Sequence, residues 1–361
     1  MEKSHPLRNA QYGLGKNRTY LPTRNGKGVA LIMVLWILAV LSVIAFEFSY
    51  AMRTEVKIVD NDQEELQLYG LAAGGVQRAI AELVYKHDSR VQNKRRVLKS
   101  EELPPERKEW VTDGRNYRLT FDQGVCEVKV MGEAGKININ LVSELLLRKI
   151  ITNLGIEGGA RDIVVDSLLD WRDPDDFYRL HGAENDYYQS LPESYECKNG
   201  NLDSIEELLL VRGITPELFY GKKGSSPEEG ENENSRRSGM KEIFSIYALG
   251  EQVDINSAPL EVLRFALGIP NETARGIIRT REEKGFENQR DLLQRVPELG
   301  PFLGDIGRFI LFKSMKPYYT IEAQARRKNG KSVRGIKVII KIDPREKEGY
   351  KIIQWLDAFV S

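Results

Sequence analysis

The sequence predicts an α+β protein: one long N-terminal helix packed on an antiparallel sheet, with a large helical domain inserted between the strands. Three observations carry that expectation. An uncharged apolar run near the N-terminus continues into a helical stripe. Strand-like hairpin patterns occur early and again at the end of the 361 residues. A long, mainly helical middle, built on a degenerate repeat, separates them.

Composition narrows the function. With 41% hydrophobic residues the chain can bury packed cores. Its three histidines (His5, His87, His181) and two cysteines (Cys126, Cys197) do not make up a multi-ligand Cys/His zinc site. No nucleophile elbow, phosphate loop or metal-hydrolase motif occurs, which argues against an anchored enzyme. The formal net charge is +0, but it is unevenly placed. Residues 1–28 carry six basic side chains against one acidic, and the remainder 47 basic against 52 acidic. A basic leader before a mildly acidic body is an orientation signal rather than a nucleic-acid footprint.

Residues 29–46 read VALIMVLWILAVLSVIAF, with no charge and one hydroxyl, Ser42. At about 1.5 Å per residue this helix spans ~27 Å, close to a bilayer core. The positive-inside rule leaves residues 1–28 in the cytoplasm and sends the rest across the membrane. That placement makes Cys126 and Cys197 a candidate disulfide, two free buried thiols being the alternative. Beyond the span, residues 47–134 should hold an amphipathic helix and the first strands. Leu66, Tyr69, Ala73, Val76, Ile80 and Leu83 recur at helical spacing as its core stripe.

Tyr117–Val130 reads as a hairpin turning at Asp122-Gln123-Gly124. Tyr318–Ile342 reads as a second, turning at Lys328-Asn329-Gly330-Lys331, and Lys351–Leu356 as a last strand within a C-terminal segment 316–361. The insert is expected over 135–315, with 221–241 a polar, flexible loop. Within it, Ile139-Asn140, Leu154-Gly155-Ile156 and Ala160-Arg161 are answered by Ile255-Asn256, Leu267-Gly268-Ile269 and Ala274-Arg275. The copies end in matching helices, residues 204–211 and 289–296. This spacing is that of helix–hairpin–helix units. Such units bind DNA through glycine-rich hairpins, but LGIEGG and LGIPNE each carry an acid and no lysine, and Pro270 lacks an N–H donor. Structural or protein-contact use is the expectation. A membrane-tethered DNA-binding protein of a competence-type system is the alternative.

The first copy also contains DSLLDWRDPDDFYRLHGAENDYY, residues 166–188. Seven carboxylates (Asp166, Asp170, Asp173, Asp175, Asp176, Glu184, Asp186) stand there against Arg172 and Arg179. Such density suits a hard cation such as Ca²⁺, which takes six to eight oxygens; arginine pairing or solvation is the other account. The EF-hand spacing is absent.

Taken in order, the Gly28 junction before the apolar run, the INxxxxE unit, the DWRDPD…GAENDYY loop and VDINSAPLEVL resemble the minor pseudopilins K of type II secretion systems. The resemblance covers nearly all of residues 26–342. It implies a pilin-like fold bearing a large helical insert, cleavage by a prepilin peptidase after Gly28 with methylation of Val29, and an inner-membrane anchor with a periplasmic body. The role it implies is non-catalytic, capping or initiating the pseudopilus tip together with minor pseudopilins of the I and J types. It further implies calcium in the acidic loop, held by ligands drawn from Asp170, Asp173, Asp175, Glu184 and Asp186, and no nucleic acid. Most pilins place Glu at the fifth mature position. Met33 stands there in this sequence, so it cannot neutralise a neighbour's N-terminal ammonium, as befits a terminal subunit.

Overall fold

The structure is a computed structural model describing residues 26–87, 110–221, 238–313, 317–328 and 332–357. The leader before Gly26, residues 222–237 of the loop expected over 221–241 and hairpin residues 329–331 lie outside the described residues; the end of that loop is not flexible, since Met240 and Lys241 open a helix and Met240 is buried. The chain divides into two compact units, residues 1–64 and 65–361.

Helix α1 (Gly26–His87) supplies the whole described part of the first unit and opens the second. In the second unit its last six turns lie on a five-stranded antiparallel sheet of order β1-β2-β7-β8-β9: β1 (Asp113–Thr120), β2 (Gly124–Gly132), β7 (Tyr318–Arg327), β8 (Val333–Ile342) and β9 (Tyr350–Asp357). The Phe121 N–H donates to the Gly124 carbonyl at 2.9 Å and closes the first hairpin where the Asp-Gln-Gly turn was expected.

The buried helix face differs from the predicted stripe. It is Leu68, Ala72, Val76, Ala79, Ile80 and Leu83, whereas Leu66 is exposed. Small residues decide this. A Cβ on Gly75 would come within 2.5 Å of the Cys126 sulfur and 2.9 Å of Val128, so Gly75 with Ala72 and Ala79 lets the backbone approach the sheet closely. A spacing argument weighs Leu66 and Tyr69 by hydrophobicity and cannot see that closeness.

Between β2 and β7 runs the insert: β3 (Ile137–Asn138), α2 (Glu144–Asn153), α3 (Gly158–Arg172), α4 (Asn185–Gln189), α5 (Pro216–Tyr220), α6 (Met240–Ile243), β4 (Phe244–Ser245), β5 (Val253–Asp254), α7 (Asn271–Glu283), α8 (Gln289–Arg295), α9 (Leu303–Ile306) and β6 (Ile310–Leu311). It buries its own core, centred on Leu147, Ile150, Leu168, Val262, Leu263 and Ile277.

The repeat is real at the level of hydrogen bonds. β3 pairs in parallel with β4, and β5 with β6. Asn140 exchanges two bonds with the backbone of Leu202, and Asn256 does the same with Phe286, adding a third to the Phe312 carbonyl. Arg172 donates to the carbonyls of Ile139 and Val142, and Arg281 to those of Ile255 and Ala258. Gly155 and Gly268, at φ 89° and 77°, make the two hairpin turns in the left-handed region. The register of the closing helices shifts by one from the sequence pairing. Ser204 corresponds to Asn288, since both cap a helical turn whose third residue (Glu207, Asp291) reaches back to the preceding backbone. The insert meets the sheet through buried polar contacts: Glu133, 2% exposed, accepts from the Thr320 hydroxyl at 2.6 Å.

Candidate functional site

From Val29 to Phe46 the first part of α1 is uncharged, and every large side chain on it is exposed. It is the one helix among the described residues long and apolar enough to cross a membrane. Ser42 returns its hydroxyl to the Leu38 carbonyl at 2.8 Å, so the one hydroxyl of the run is satisfied within the helix. Gly28 and Val29, the residues flanking the expected cleavage point, lie in the opening turns of this helix.

The acidic segment starts inside α3. Because α3 turns every 3.6 residues, Asp166 and Asp170 share a face, and both are buried. Asp166 is neutralised by Arg148 at 2.6 Å and accepts from the His181 N–H at 3.3 Å. Asp170 takes the Nη1 of Arg179 at 2.6 Å and the Arg179 backbone N–H at 3.2 and 3.3 Å. The same Nη1 reaches Asp173 Oδ2 at 2.7 Å. Burial outweighs these bonds and raises the Asp170 pKa, whereas Arg179 is raised by the two carboxylates it bridges. Desolvation works against both charges, but the Arg179 side chain is 38% exposed and its two carboxylates outweigh it there, whereas at the fully buried Asp170 it prevails.

Glu184 is 2% exposed, and neither of its carboxylate oxygens has a hydrogen-bond partner. Burial first, then the charges of Asp170, Asp173 and Asp176, push its pKa up to about 7, against the Cys197 thiol that faces it. Asp173 Oδ1 and Asn199 Oδ1 are likewise buried without a donor. Asn199 holds φ 46° and gives its Nδ2 to Asp176 at 2.8 Å.

The five predicted ligands therefore separate. Asp170 and Asp173 share Arg179, and Glu184 feels the charges of both; Asp175 and Asp186 are exposed, accepting from the N–H groups of Phe177 and Tyr187. Asn199 is an added oxygen donor that sequence reasoning missed, since nothing marks it until the fold brings it back. Among the described residues no three His, Cys, Asp or Glu side chains are gathered closely enough to hold a metal as they stand. The donor chemistry nonetheless fits a hard cation: unpartnered carboxylate and amide oxygens with a net negative field. Gly182 belongs to this cluster by necessity, because a Cβ there would lie 1.7 Å from Asp170 Oδ2. Beside it Phe177, Tyr178 and Leu180 stand 83%, 64% and 90% exposed.

The predicted disulfide is not formed. Both cysteines are free and buried, Cys126 in the sheet core and Cys197 in the insert core. Burial raises each thiol to about 12. Sequence placed both on one side of the membrane but could not show that they belong to different cores.

At the helix–hairpin–helix turns, α3 is entered from Glu157 and α7 from Pro270 with Glu272 in its first turn. An acid at each helix entrance opposes the phosphate that a helix N-terminus otherwise attracts.

A helix that is apolar and then amphipathic, laid on an antiparallel sheet that hosts a helical insert, is a pilin-like arrangement. Residues 132–220 match the family described as type II secretion system (T2SS), protein K, and residues 250–303 the helix–hairpin–helix motif. The type II secretion system protein K of Pseudomonas aeruginosa is 24% identical over 293 residues, 78% of this chain and 80% of that protein. That of Pectobacterium carotovorum is 25% identical over 213 residues, 54% of this chain and 60% of its own length. A chain in the crystal structure of the GspK-GspI-GspJ complex from the enterotoxigenic Escherichia coli type 2 secretion system superposes with a TM-score of 0.55 at 16% identity, covering 84% of this chain and 99% of that one. In sequence and in fold the chain is thus similar to type II secretion system protein K.

Proposed function

We propose that this protein is anchored in a bacterial inner membrane and carries its body in the periplasm, where it caps or initiates the pseudopilus tip in protein export across the outer membrane. The observation that supports it best is the insert, residues 133–317, hung between the neighbouring strands β2 and β7 of a pilin-like sheet. A body enlarged there obstructs a subunit stacked above it, and Met33 withholds the acid that would pair with a neighbour's ammonium. Its partners in this reading are minor pseudopilins of the I and J types, by analogy with the complex named for its structural relative. Prepilin peptidase cuts after Gly28 and leaves a methylated Val29. The role is assembly, without catalysis.

The acidic loop takes calcium in the same reading. Asp170, Asp173, Glu184 and Asn199 would hold it, and the ion would supply the positive charge that Glu184 lacks.

The test is co-expression of the full-length chain with I- and J-type minor pseudopilins, followed by affinity purification and N-terminal sequencing. The expected result is a stable complex whose K-type chain begins at Val29. A K-type chain that polymerises alone, or that retains Met1 in the presence of prepilin peptidase, would refute the assignment.

A further inference from the structure

Arg179 occupies a place at the acidic loop that a metal ion would contest. A single nitrogen, Nη1, bridges Asp170 Oδ1 and Asp173 Oδ2 at 2.6 and 2.7 Å. The guanidinium thus serves as the cation for these two carboxylates. It serves only part of the cluster, since Asp173 Oδ1, Asn199 Oδ1 and both oxygens of the buried Glu184 remain without a donor. The arginine is not locked in. Its side chain is 38% exposed, and a guanidinium on a flexible stem can turn into water. Asp170, by contrast, is fully buried at the end of α3 and pinned by the Arg179 backbone N–H as well, so it keeps its position when the guanidinium leaves.

We propose that Arg179 is a displaceable stand-in for the calcium ion, competing with it for Asp170 and Asp173 and so setting the affinity of the loop. This rests on the calcium reading above. A dication and a guanidinium sharing two carboxylates repel each other, so one excludes the other. While Arg179 holds Asp170 and Asp173, nothing draws Glu184 and Asn199 toward them. With the guanidinium turned away, Asp170 and Asp173 would be free to hold the ion together with Glu184 and Asn199.

The experiment is calorimetric titration of the full-length protein in detergent with CaCl₂, for wild type, Arg179→Gln and Arg179→Lys, with near-ultraviolet circular dichroism confirming the fold of each. Arg179→Gln should bind Ca²⁺ about tenfold tighter than wild type, and Arg179→Lys should fall between, because an ammonium keeps the charge but bridges two carboxylates less well. If Arg179→Gln does not fold, Arg179→Lys alone decides by the same direction. Wild type and variants binding with equal affinity, or the variants more weakly, would overturn the role of Arg179 and leave the calcium reading intact. No binding of CaCl₂ by any of the three proteins would overturn both.

Discussion

Replacing Gly182 by alanine tests whether the acidic loop is a packed site or a solvated tail. The added Cβ would fall 1.7 Å from Asp170 Oδ2, 2.7 Å from its Cγ and 3.2 Å from the Arg179 backbone nitrogen. Asp170 cannot retreat without losing the Arg179 backbone and Nη1 bonds. Overpacking a filled site costs about 1–3 kcal/mol. A lost hydrogen bond to a charged group costs ~1.5–3 kcal/mol, reduced here because Arg179 is partly exposed and screened. Together these give a destabilisation of about 3 kcal/mol for the insert. Two glycines nearby separate space from backbone strain. Gly159, in the first turn of α3 with open space around it, should gain ~0.4–1 kcal/mol on becoming alanine. Gly155, also in open space but at φ 89°, should lose about 1–2 kcal/mol. Urea unfolding followed by tryptophan fluorescence reads the series, since Trp171 packs edge-on against Tyr188 beside the loop. A Gly182→Ala midpoint equal to that of Gly159→Ala would show that the loop does not pack as described.

Protonation of Glu184 gives a second test. Its folded-state pKa of about 7 lies above the ordinary carboxylate value. Metal-free protein therefore gains stability from this group below about pH 4.3 and loses it as pH rises through 7, with no further change above. Calcium needs the carboxylate, so its affinity should rise about thirtyfold from pH 5.5 to 8.5, most of it below 7, and Glu184→Gln should flatten the profile; a flat wild-type titration would count against it. The paired asparagines predict an order: Asn256→Ala, which strips three backbone partners, should cost about 3 kcal/mol and Asn140→Ala, which strips two, about 2 kcal/mol, read by urea midpoints. Both thiols, free and buried, should resist alkylation in native protein and add two alkyl groups after unfolding without reductant; a mass unchanged until reduction would show a bond instead.

Much of the architecture was legible because it is written in periodicity. A bilayer-length apolar run, two alternating hairpins and a repeated INx…LGI pattern each have one economical solution. β2 and β7, 185 residues apart in the sequence numbering from Gly132 to Tyr318 inclusive of neither, could be assigned to one sheet because only the hairpin patterns at both ends lacked partners. What escaped was whatever depends on closeness. On α1 the stripe held at Val76, Ile80 and Leu83 but included Leu66 and missed Leu68, Ala72 and Ala79, because Gly75 and Ala72 let the backbone approach the sheet. Whether the two cysteines pair stayed open in the sequence, because a shared compartment says nothing of shared cores. Asn199 was invisible because its contribution comes from a turn that returns it to Asp176 across 23 residues.

The two copies of the repeat explain why the candidate site lies where it does. In the second copy the segment from α7 to the Asn288 cap is short, Lys284 to Glu287, and Asn256 clasps Phe286 within it. In the first copy the corresponding segment runs from Asp173 to Asp203, and Asn140 clasps Leu202 in the same manner. The scaffold, to which α3 with Asp166 and Asp170 belongs, is common to both; the added residues carry Asp173, Asp175, Asp176, Glu184 and Asp186 together with Arg179, Gly182 and Asn199. Arg172 and the Asn140 clasp hold the ends of the added segment on the common frame, so its interior was free to take on charge without unravelling the helices. A buried, donor-less Glu184 within that segment costs stability that the fold does not require, since the second copy folds without any counterpart. A cost localised in the one part of the repeat that is not needed for folding argues that the part is kept for what it binds.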